Sequence, residues 1–181
     1  MSNCNVNFLS PAAFILTIPG FDEIAFQCSS ANLPGVSMGG PTQATPYNDF
    51  QLGGDKLNYD DLELTFFVDE ECNNYSLIHN WMVGITYPQK STQWREFVNR
   101  MKNREFVVED ENLETVDMYL TVCNSNFNEN FKMHFVDAFP TSLSTLEFDT
   151  SLSDIQYLTA TVRFKYTYFT ITDMRDKEKT I

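Results

Sequence analysis

The chain has 181 residues, of which 43% are hydrophobic and 14% aromatic, and its formal net charge is −13. This length and apolar content indicate a single domain with a sizeable core and exclude an intrinsically disordered chain. No apolar run reaches the roughly eighteen residues of a membrane helix, and the short run at 14–19 lacks the basic start of a signal peptide. We therefore expect no membrane partner, and the acidity disfavours nucleic-acid binding through a basic surface.

The sequence carries no recognised catalytic or metal-binding motif. The four cysteines are widely spaced, with no C-x-x-C pair, so we expect free thiols rather than a zinc site or a redox pair. They are Cys4, Cys28, Cys72 and Cys123. The two histidines, His79 and His134, lack a metal-ligand spacing, and the hydrolase and nucleotide-binding motifs are absent. We expect a protein that is not an enzyme and needs no cofactor or metal.

The first third of the chain predicts strands separated by an unusual segment. Apolar alternation on both sides of the Pro19-Gly20 turn predicts an antiparallel hairpin over residues 13–29. Residues 29–54 are rich in Gly, Pro, Ser and Thr, and so long an irregular stretch is uncommon in a compact domain. We interpret it as a mobile loop or as an extended arm whose contacts lie on another molecule. Residues 57–68 then predict a strand.

Helical spacing of apolar residues follows. Tyr75, Ile78, Met82 and Ile85 form a stripe that is typical of a helix packed on a sheet. Three acids at 69–71 precede the stripe, where the helix dipole favours negative charge. Asn73 or Asn74 is a suitable N-cap.

A second apolar stripe around Trp94 predicts another helix within a charged segment, residues 87–114. Five of the chain's twelve Lys and Arg residues flank it: Lys90, Arg95, Arg100, Lys102 and Arg104. A basic amphipathic helix is typical of a membrane-surface or DNA-contacting element. In so acidic a chain, a helix that meets an acidic surface on a neighbour is the better interpretation.

The last third predicts the closing strands. Alternation over 116–123 and 131–135 predicts a second hairpin, ended by Phe139-Pro140, and Leu146 and Phe148 mark a short strand. The run from Thr159 to Ile171 alternates like one long strand, but its phase flips after Tyr168. Such a flip indicates a bulge or a passage from one sheet to another. Residues 173–181 are expected to be a flexible tail.

Together these patterns predict a mainly β (α+β) fold, an antiparallel β-sandwich or barrel with one or two flanking helices, in a single domain over 1–181. Three segments in the same order resemble the tail tube proteins of contractile-tailed bacteriophages. They are Phe26-Gln27-Cys28 with Ala31 to Gly35; Gly54-Asp55-Lys56 with Tyr59 to Leu62, Thr65 and Asp69-Glu70; and Phe139 to Leu143 with Glu147-Phe148-Asp149 and the long strand. The resemblance covers about 13–86 and 115–171 and leaves the segment 87–114 outside the family pattern.

The resemblance implies a structural virion protein, assembled in the host cytoplasm, that forms homo-hexameric rings stacked into the inner tail tube. A surrounding sheath and adjacent tube or baseplate rings would be its partners, and DNA or a tape-measure protein would pass the lumen without specific binding. We expect Leu33, Pro34, Gly35, Gly54, Asp55 and Lys56 at the subunit interface, together with Trp94 and Arg95 from the charged segment. The implied lumen-facing residues are Asp61, Glu63, Asp117, Thr161, Arg163 and Lys165.

Two alternatives remain open at this stage. The extra segment at 87–114 suits a ring that starts or ends the tube at the baseplate or neck, because such a ring meets different neighbours above and below. A small acidic β-barrel that binds a ligand is the alternative from another class. For the tube interpretation, we expect acids in the lumen to outweigh Arg163 and Lys165, so that the bore does not hold phosphates.

Overall fold

The computed structural model describes residues 13–19, 24, 28–86, 92, 95, 115–148 and 157–173. Its elements are β1 (Phe14–Thr17), β2 (Cys28–Ala31), β3 (Val36–Met38), β4 (Thr42–Ala44), β5 (Asp49–Gln51), β6 (Leu57–Tyr59), β7 (Leu62–Phe67), α1 (Asn73–Thr86), β8 (Val116–Cys123), β9 (Glu129–Leu143), β10 (Thr159–Lys165) and β11 (Tyr168–Asp173). Apart from β3 to β6, which form two two-stranded ladders, these strands form two antiparallel sheets around one core.

The 15-residue strand β9 belongs to both sheets. Its first part pairs with β8 and β11, and β1 continues that sheet beyond β8, so sheet A has the order β1-β8-β9-β11. Its last part pairs with β10, and β7 and β2 follow, so sheet B has the order β9-β10-β7-β2. Each sheet therefore contains four strands in the described part of the chain.

A bulge at Asp137 lets β9 change sheets. Asp137 has a positive φ of 56°, a conformation that is uncommon outside glycine. The Asp137 N–H donates to Oδ1 of Asp117 at 3.1 Å. The Asp137 carboxylate accepts hydrogen bonds from the hydroxyls of Thr115, at 3.2 Å, and Thr167, at 3.4 Å. These bonds hold the backbone turn that aims the end of β9 into sheet B.

The core lies between the sheets and is closed by the helix. Sheet B contributes alternate residues of β7 and β10, while Met118, Leu120 and Phe135 are among those from sheet A. The Trp81 ring of α1 lies 5.8 Å from the Phe164 ring, and Trp81 is 1% exposed. Burial of such apolar surface is the main favourable term in folding.

The predicted helix is confirmed, and it begins at Asn73. Asn74 is buried, its side-chain N–H donates to the Phe67 carbonyl at 2.7 Å, and its Oδ1 accepts the Tyr75 N–H at 2.8 Å. Asn74 therefore ties the first turn of the helix to the end of β7. Among the described residues, no helix has the length and apolar character needed to cross a membrane.

The predicted passage between sheets near Tyr168 is confirmed, because β10 lies in sheet B and β11 in sheet A. The hairpin formed by β8 and β9 is confirmed too. Its predicted end at Phe139-Pro140 is wrong, since β9 continues to Leu143. Proline is tolerated in edge strands and at bulges. Pro140 lies on the edge strand of sheet B, opposite Phe164 and next to a shift in register.

Three further predictions need correction. The hairpin over 13–29 is wrong, because β1 pairs with β8 and β2 pairs with β7. Alternation identified β1 but not its distant partner, and the second predicted strand is misplaced, because Ile24 is helical and β2 begins only at Cys28. The strand predicted over 57–68 is divided between β6 and β7, and Leu146 and Phe148 are not in a strand. The apolar side chain of Leu146 instead packs against the core outside any ladder.

The Gly/Pro-rich stretch contains paired strands that extend from the body. We call Val36–Tyr59 the arm: β3 pairs with β6 at its base, and β4 pairs with β5 at its tip. Between the two ladders, the Leu52 N–H donates to the Pro41 carbonyl at 3.0 Å. Most of the arm is exposed, so the arm interpretation agrees with the structure of these residues better than an unpaired loop does.

The junction between the two ladders depends on glycine. A Cβ placed on Gly54 would lie 1.7 Å from the Gly39 carbonyl oxygen, whereas one on Gly53 would meet nothing within 4 Å. We expect Gly54→Ala to force the strands apart and to remove hydrogen-exchange protection from the Leu52 amide. Core amides such as that of Val162 should keep theirs. Gly53→Ala is the matched control, and equal protection in both variants would contradict this role of Gly54.

The predicted second helix at 87–114 and the predicted tail after 173 lie outside the described residues, apart from Thr92 and Arg95. Of the four cysteines, Cys28, Cys72 and Cys123 fall within the described part, and all three are free thiols. Burial raises the pKa of Cys28 to about 11, against a smaller lowering by the Ser30 backbone.

Candidate assembly surfaces

Sheet B presents a flat face of hydroxyl side chains on the side away from the core. Thr65 and Thr161 are cross-strand partners whose Oγ1 atoms are 3.2 Å apart. Ser30 lies opposite Thr65, and Ser142 lies opposite Arg163 on the next strand. Residues alternate between the two faces of a strand, so these side chains all point away from the buried Leu64 and Val162. We call this surface the hydroxyl face.

Four of the predicted lumen residues lie together on the hydroxyl face. Arg163 lies opposite Glu63, and its Nε is 3.2 Å from a Glu63 carboxylate oxygen. Thr161 and Lys165 are two residues to either side of Arg163 on the same strand, so they share its face. Asp61 lies one residue before β7 begins and is half-buried. An exposed ion pair of this kind contributes only about 0–1 kcal/mol to stability. Its larger effect here is on charge, because Glu63 and Arg163 offset each other.

Asp117, the sixth predicted lumen residue, lies apart from the others on sheet A. Its Oδ2 is 2.8 Å from Nε2 of His134. The His134 ring stacks on Tyr119 with centroids 4.6 Å apart, and Lys132 Nζ lies 4.1 Å from the centroid of the Tyr119 ring. Burial, and then the charge of Asp117, raises the pKa of Tyr119. These contacts form a polar stack on the outer face of sheet A that cannot share one surface with Glu63 and Arg163.

The arm carries several exposed apolar side chains that the sequence pattern did not predict as interface residues. Tyr47 at its tip is 99% exposed and Phe50 is 56% exposed. The others on the arm are Val36, Met38, Leu52 and Leu57. Val36 and Met38 alternate on β3, and Met38 lies opposite Leu57 on β6, so these three share one face of the arm. Single apolar side chains are normal on a surface, but grouped ones mark an interaction site.

An aromatic cluster fixes the base of the arm to the body. The Tyr59 ring lies 5.9 Å from Tyr166 and 5.5 Å from Phe169. The Tyr166 hydroxyl donates to the Asp60 carbonyl at 2.9 Å. Burial, followed by the charges of Tyr59, Asp60 and Asp61, raises the pKa of Tyr166 to about 12. Tyr166 therefore remains a neutral donor, and the arm leaves the body in a defined direction.

The predicted interface residues fall into three groups. Leu33, Gly35, Asp55 and Lys56 are exposed, and Leu33 is 59% exposed. Pro34 is buried within the subunit, and Gly54 is half-buried against Gly39, so neither presents much surface to a neighbour. Arg95 is exposed, whereas Trp94 lies outside the described residues.

Both sheets end in strands with one unpaired edge in the described part of the chain. For sheet A these are β1 and β11, and for sheet B they are β2 and the last part of β9. Open edges invite pairing with another chain unless they are covered. No pattern in the sequence distinguishes these edges, because an edge strand and a central strand have the same alternation.

The described residues contain no cluster of three or more His, Cys, Asp or Glu side chains able to hold a metal ion. The surfaces that remain are the hydroxyl face, the open sheet edges and the apolar arm. Open strand edges and exposed apolar side chains are features that another chain can pair with or cover.

Comparison with known proteins gives a consistent result. A family model for phage tail tube protein matches residues 3–172. The chain is similar in structure to a chain of the anti-feeding prophage cap, described as a tube-terminating cap, with TM-score 0.57 and 16% identity over 96% of this chain and 99% of that chain.

Two structures of the PVC extracellular contractile injection system, both in the extended state, are also similar. One is its sheath–tube complex, with TM-score 0.55 and 14% identity over 94% of this chain and 95% of that chain. The other is its sheath/tube terminator, with TM-score 0.56 and 14% identity over 93% and 99%. At these identities the similarity shows the fold, and it confirms the mainly antiparallel β prediction. No curated protein gives a significant match.

Proposed function

Because the chain belongs to the phage tail tube protein family, we propose that it is a structural subunit of hexameric rings that stack into the inner tube of a contractile tail. The observation that carries this proposal is sheet B, a four-stranded sheet with a polar hydroxyl face and an open strand at each side. In a closed ring, β2 of one subunit would pair with β9 of the next, so no edge would remain exposed.

The dimensions of such a ring suit a DNA conduit. Six copies of sheet B supply 24 strands, which at about 4.8 Å spacing and about 40° tilt give a circumference near 150 Å. The backbone wall is then roughly 48 Å across, and the bore is about 38 Å once side chains are included. Duplex DNA or an extended tape-measure protein passes through a bore of that width.

The hydroxyl face supports passage without binding. Glu63 and Arg163 form an ion pair, and with Asp61, one residue before β7, the charges of Asp61, Glu63, Arg163 and Lys165 add to zero. A surface that neutralises no phosphates releases no counterions and gains no affinity for DNA. This low-charge lumen replaces the expectation that acids outweigh the bases there, and it leaves Asp117 on the outer side of the subunit.

The exterior and the ring faces have partners of their own in this proposal. The arm, with its exposed apolar residues, reaches an adjacent ring, and a sheath surrounds the tube in the assembled virion. The protein is assembled in the host cytoplasm before it joins the tail.

A cysteine placed on the hydroxyl face tests the assignment of the lumen. In stacked rings, Lys165→Cys should react with a small maleimide but resist a maleimide fixed to a bead wider than the bore. Thr17→Cys, on an exposed position of sheet A, should react with both reagents above the wild-type background. Equal reaction of Lys165→Cys with the bead-bound reagent would contradict a lumen lined by sheet B.

A ring that ends or starts the tube is the second candidate. It is favoured by the similarity to two terminator chains over 99% of each of their lengths. The number of copies per particle separates the candidates: a tube subunit should be present in many rings, and a terminator in a single ring at one end.

A further inference from the structure

A groove of about 690 Å³ lies beside the beginning of α1, at the end of β7. Its apolar lining includes Leu146, Phe148 and Tyr157. Phe148 is 78% exposed and Tyr157 is 80% exposed. The Tyr157 ring also packs edge-on against Phe67 at 6.4 Å, and Phe67 is itself exposed. Three neighbouring exposed aromatic rings form an apolar surface of the kind that another molecule covers.

The same groove has an acidic side. Asp69 and Glu70 line it, next to Cys72. In the described part of the chain, neither carboxylate has a Lys, Arg or His partner within ion-pair distance. An occupant that suits this groove is therefore both aromatic or apolar and basic, because complementary charge fixes specificity at an interface.

This chain contains a segment with that chemistry. Arg95, which is exposed, stands between Trp94 and Phe97 in sequence, within the stretch that carries five Lys and Arg residues from 90 to 104. Tryptophan and arginine are the residues that most often anchor protein interfaces. An arginine placed over an aromatic ring such as Tyr157 adds a cation–π attraction.

In sequence, α1 lies between Cys72 of the groove and the basic segment, which follows Thr86, the last residue of α1. The fourteen residues of α1 span about 20 Å at about 1.5 Å per residue. A cyclic ring needs two different, complementary patches that meet head to tail. The acidic groove and the basic segment are different and carry opposite charge, as this requirement demands.

We propose that the acidic aromatic groove of each subunit binds the Arg95 segment of the neighbouring copy in the same ring. This inference rests on the proposed ring, and it assigns to the basic segment a role in closing that ring.

Cross-linking tests the pairing directly. In a Cys4→Ser background, Arg95→Cys and the native Cys72 should be joined by a short bismaleimide to give covalent dimers through hexamers on a denaturing gel. A Cys72→Ser version of the same protein is the control and should give no ladder. A ladder supports the inference. If native mass spectrometry shows intact rings but the gel shows only monomers, with or without an internal cross-link, the inference is overturned and the proposed function stands. Absence of rings would overturn both.

Charge reversal provides a second test. Glu70→Lys should reduce the hexamer fraction at fixed concentration at least tenfold, and adding Arg95→Glu should restore it. Glu129→Lys, at an exposed position at the start of β9, carries the same charge change and should leave the hexamer fraction unchanged. No loss with Glu70→Lys, or no rescue by the double variant, would overturn the inference.

Equal alkylation of Cys72 in rings and in monomers would overturn it too, because the groove would then be free for another partner such as the sheath.

Discussion

Trp81→Ala is expected to lower the free energy of unfolding by about 3–5 kcal/mol, the range observed when a large buried aromatic side chain is truncated in a core. Trp81 is 1% exposed and packs on Phe164, so its removal leaves a cavity where α1 meets sheet B. Since a domain is stable by only about 5–15 kcal/mol, this loss is a large fraction of the total. Chemical denaturation followed by circular dichroism measures it.

His79→Ala is the matched control for this experiment. His79 lies on the same helix but is exposed, and surface substitutions of this kind usually change stability by less than about 0.5 kcal/mol. An unchanged denaturation midpoint for Trp81→Ala would mean that α1 does not close the core.

Leu33→Asp is expected to leave the subunit folded and to weaken the association between subunits or rings by about 100-fold or more. Leu33 is 59% exposed, so the change removes no large buried contact within the subunit. If a neighbour covers Leu33, the variant loses about 1.5–3 kcal/mol of apolar burial and places a charge in the interface. A loss of 2.7 kcal/mol corresponds to about 100-fold in the dissociation constant.

Asn32→Asp controls for the added charge. Asn32 is the adjacent exposed residue, and its contact with the body is a backbone N–H that donates to the Glu63 carbonyl at 2.9 Å. The aspartate keeps that bond and removes no apolar surface, so assembly should be retained. Analytical ultracentrifugation compares the two variants. Normal assembly of Leu33→Asp would show that Leu33 is not part of an interface. An unfolded variant would show that Leu33 belongs to the core.

The sequence predicted local structure well where a periodic pattern of apolar residues continues over many positions. The flip in alternation at Tyr168 identified the passage from sheet B to sheet A, because a change of face requires a change of phase. The stripe from Tyr75 to Ile85 identified α1 for the same reason. Partners were not specified: β1 pairs with a strand about a hundred residues later, and nothing in its own alternation indicates that choice.

The candidate surfaces were predicted only in part. Glu63, Thr161, Arg163 and Lys165 do share one face, because they lie at alternate positions of two paired strands. Asp117 also alternates correctly in its own strand, but which sheet a strand joins depends on long-range pairing that periodicity does not encode. The bulge at Asp137 is a further example, since its positive φ is held by Asp117, Thr115 and Thr167 from other parts of the chain.

The arm shows the converse situation. Its composition indicated a segment with contacts outside the subunit, yet composition did not reveal that β4 and β5 pair at its tip or that Tyr59 fixes its base. The exposed Tyr47 and Phe50 could have been found from the sequence as aromatic residues within a polar, turn-rich stretch. Their exposure follows only from the paired backbone that carries them.

Electron cryomicroscopy of the purified, assembled protein tests whether sheet B of six subunits forms the wall of the tube. We expect six-fold rings with an open bore about 38 Å wide, lined by the face that carries Thr65, Thr161 and Arg163. In these rings β2 of each subunit lies beside β9 of the next. Monomers at assembly concentrations, or rings whose bore is lined by Tyr119 and His134 of sheet A, would contradict it.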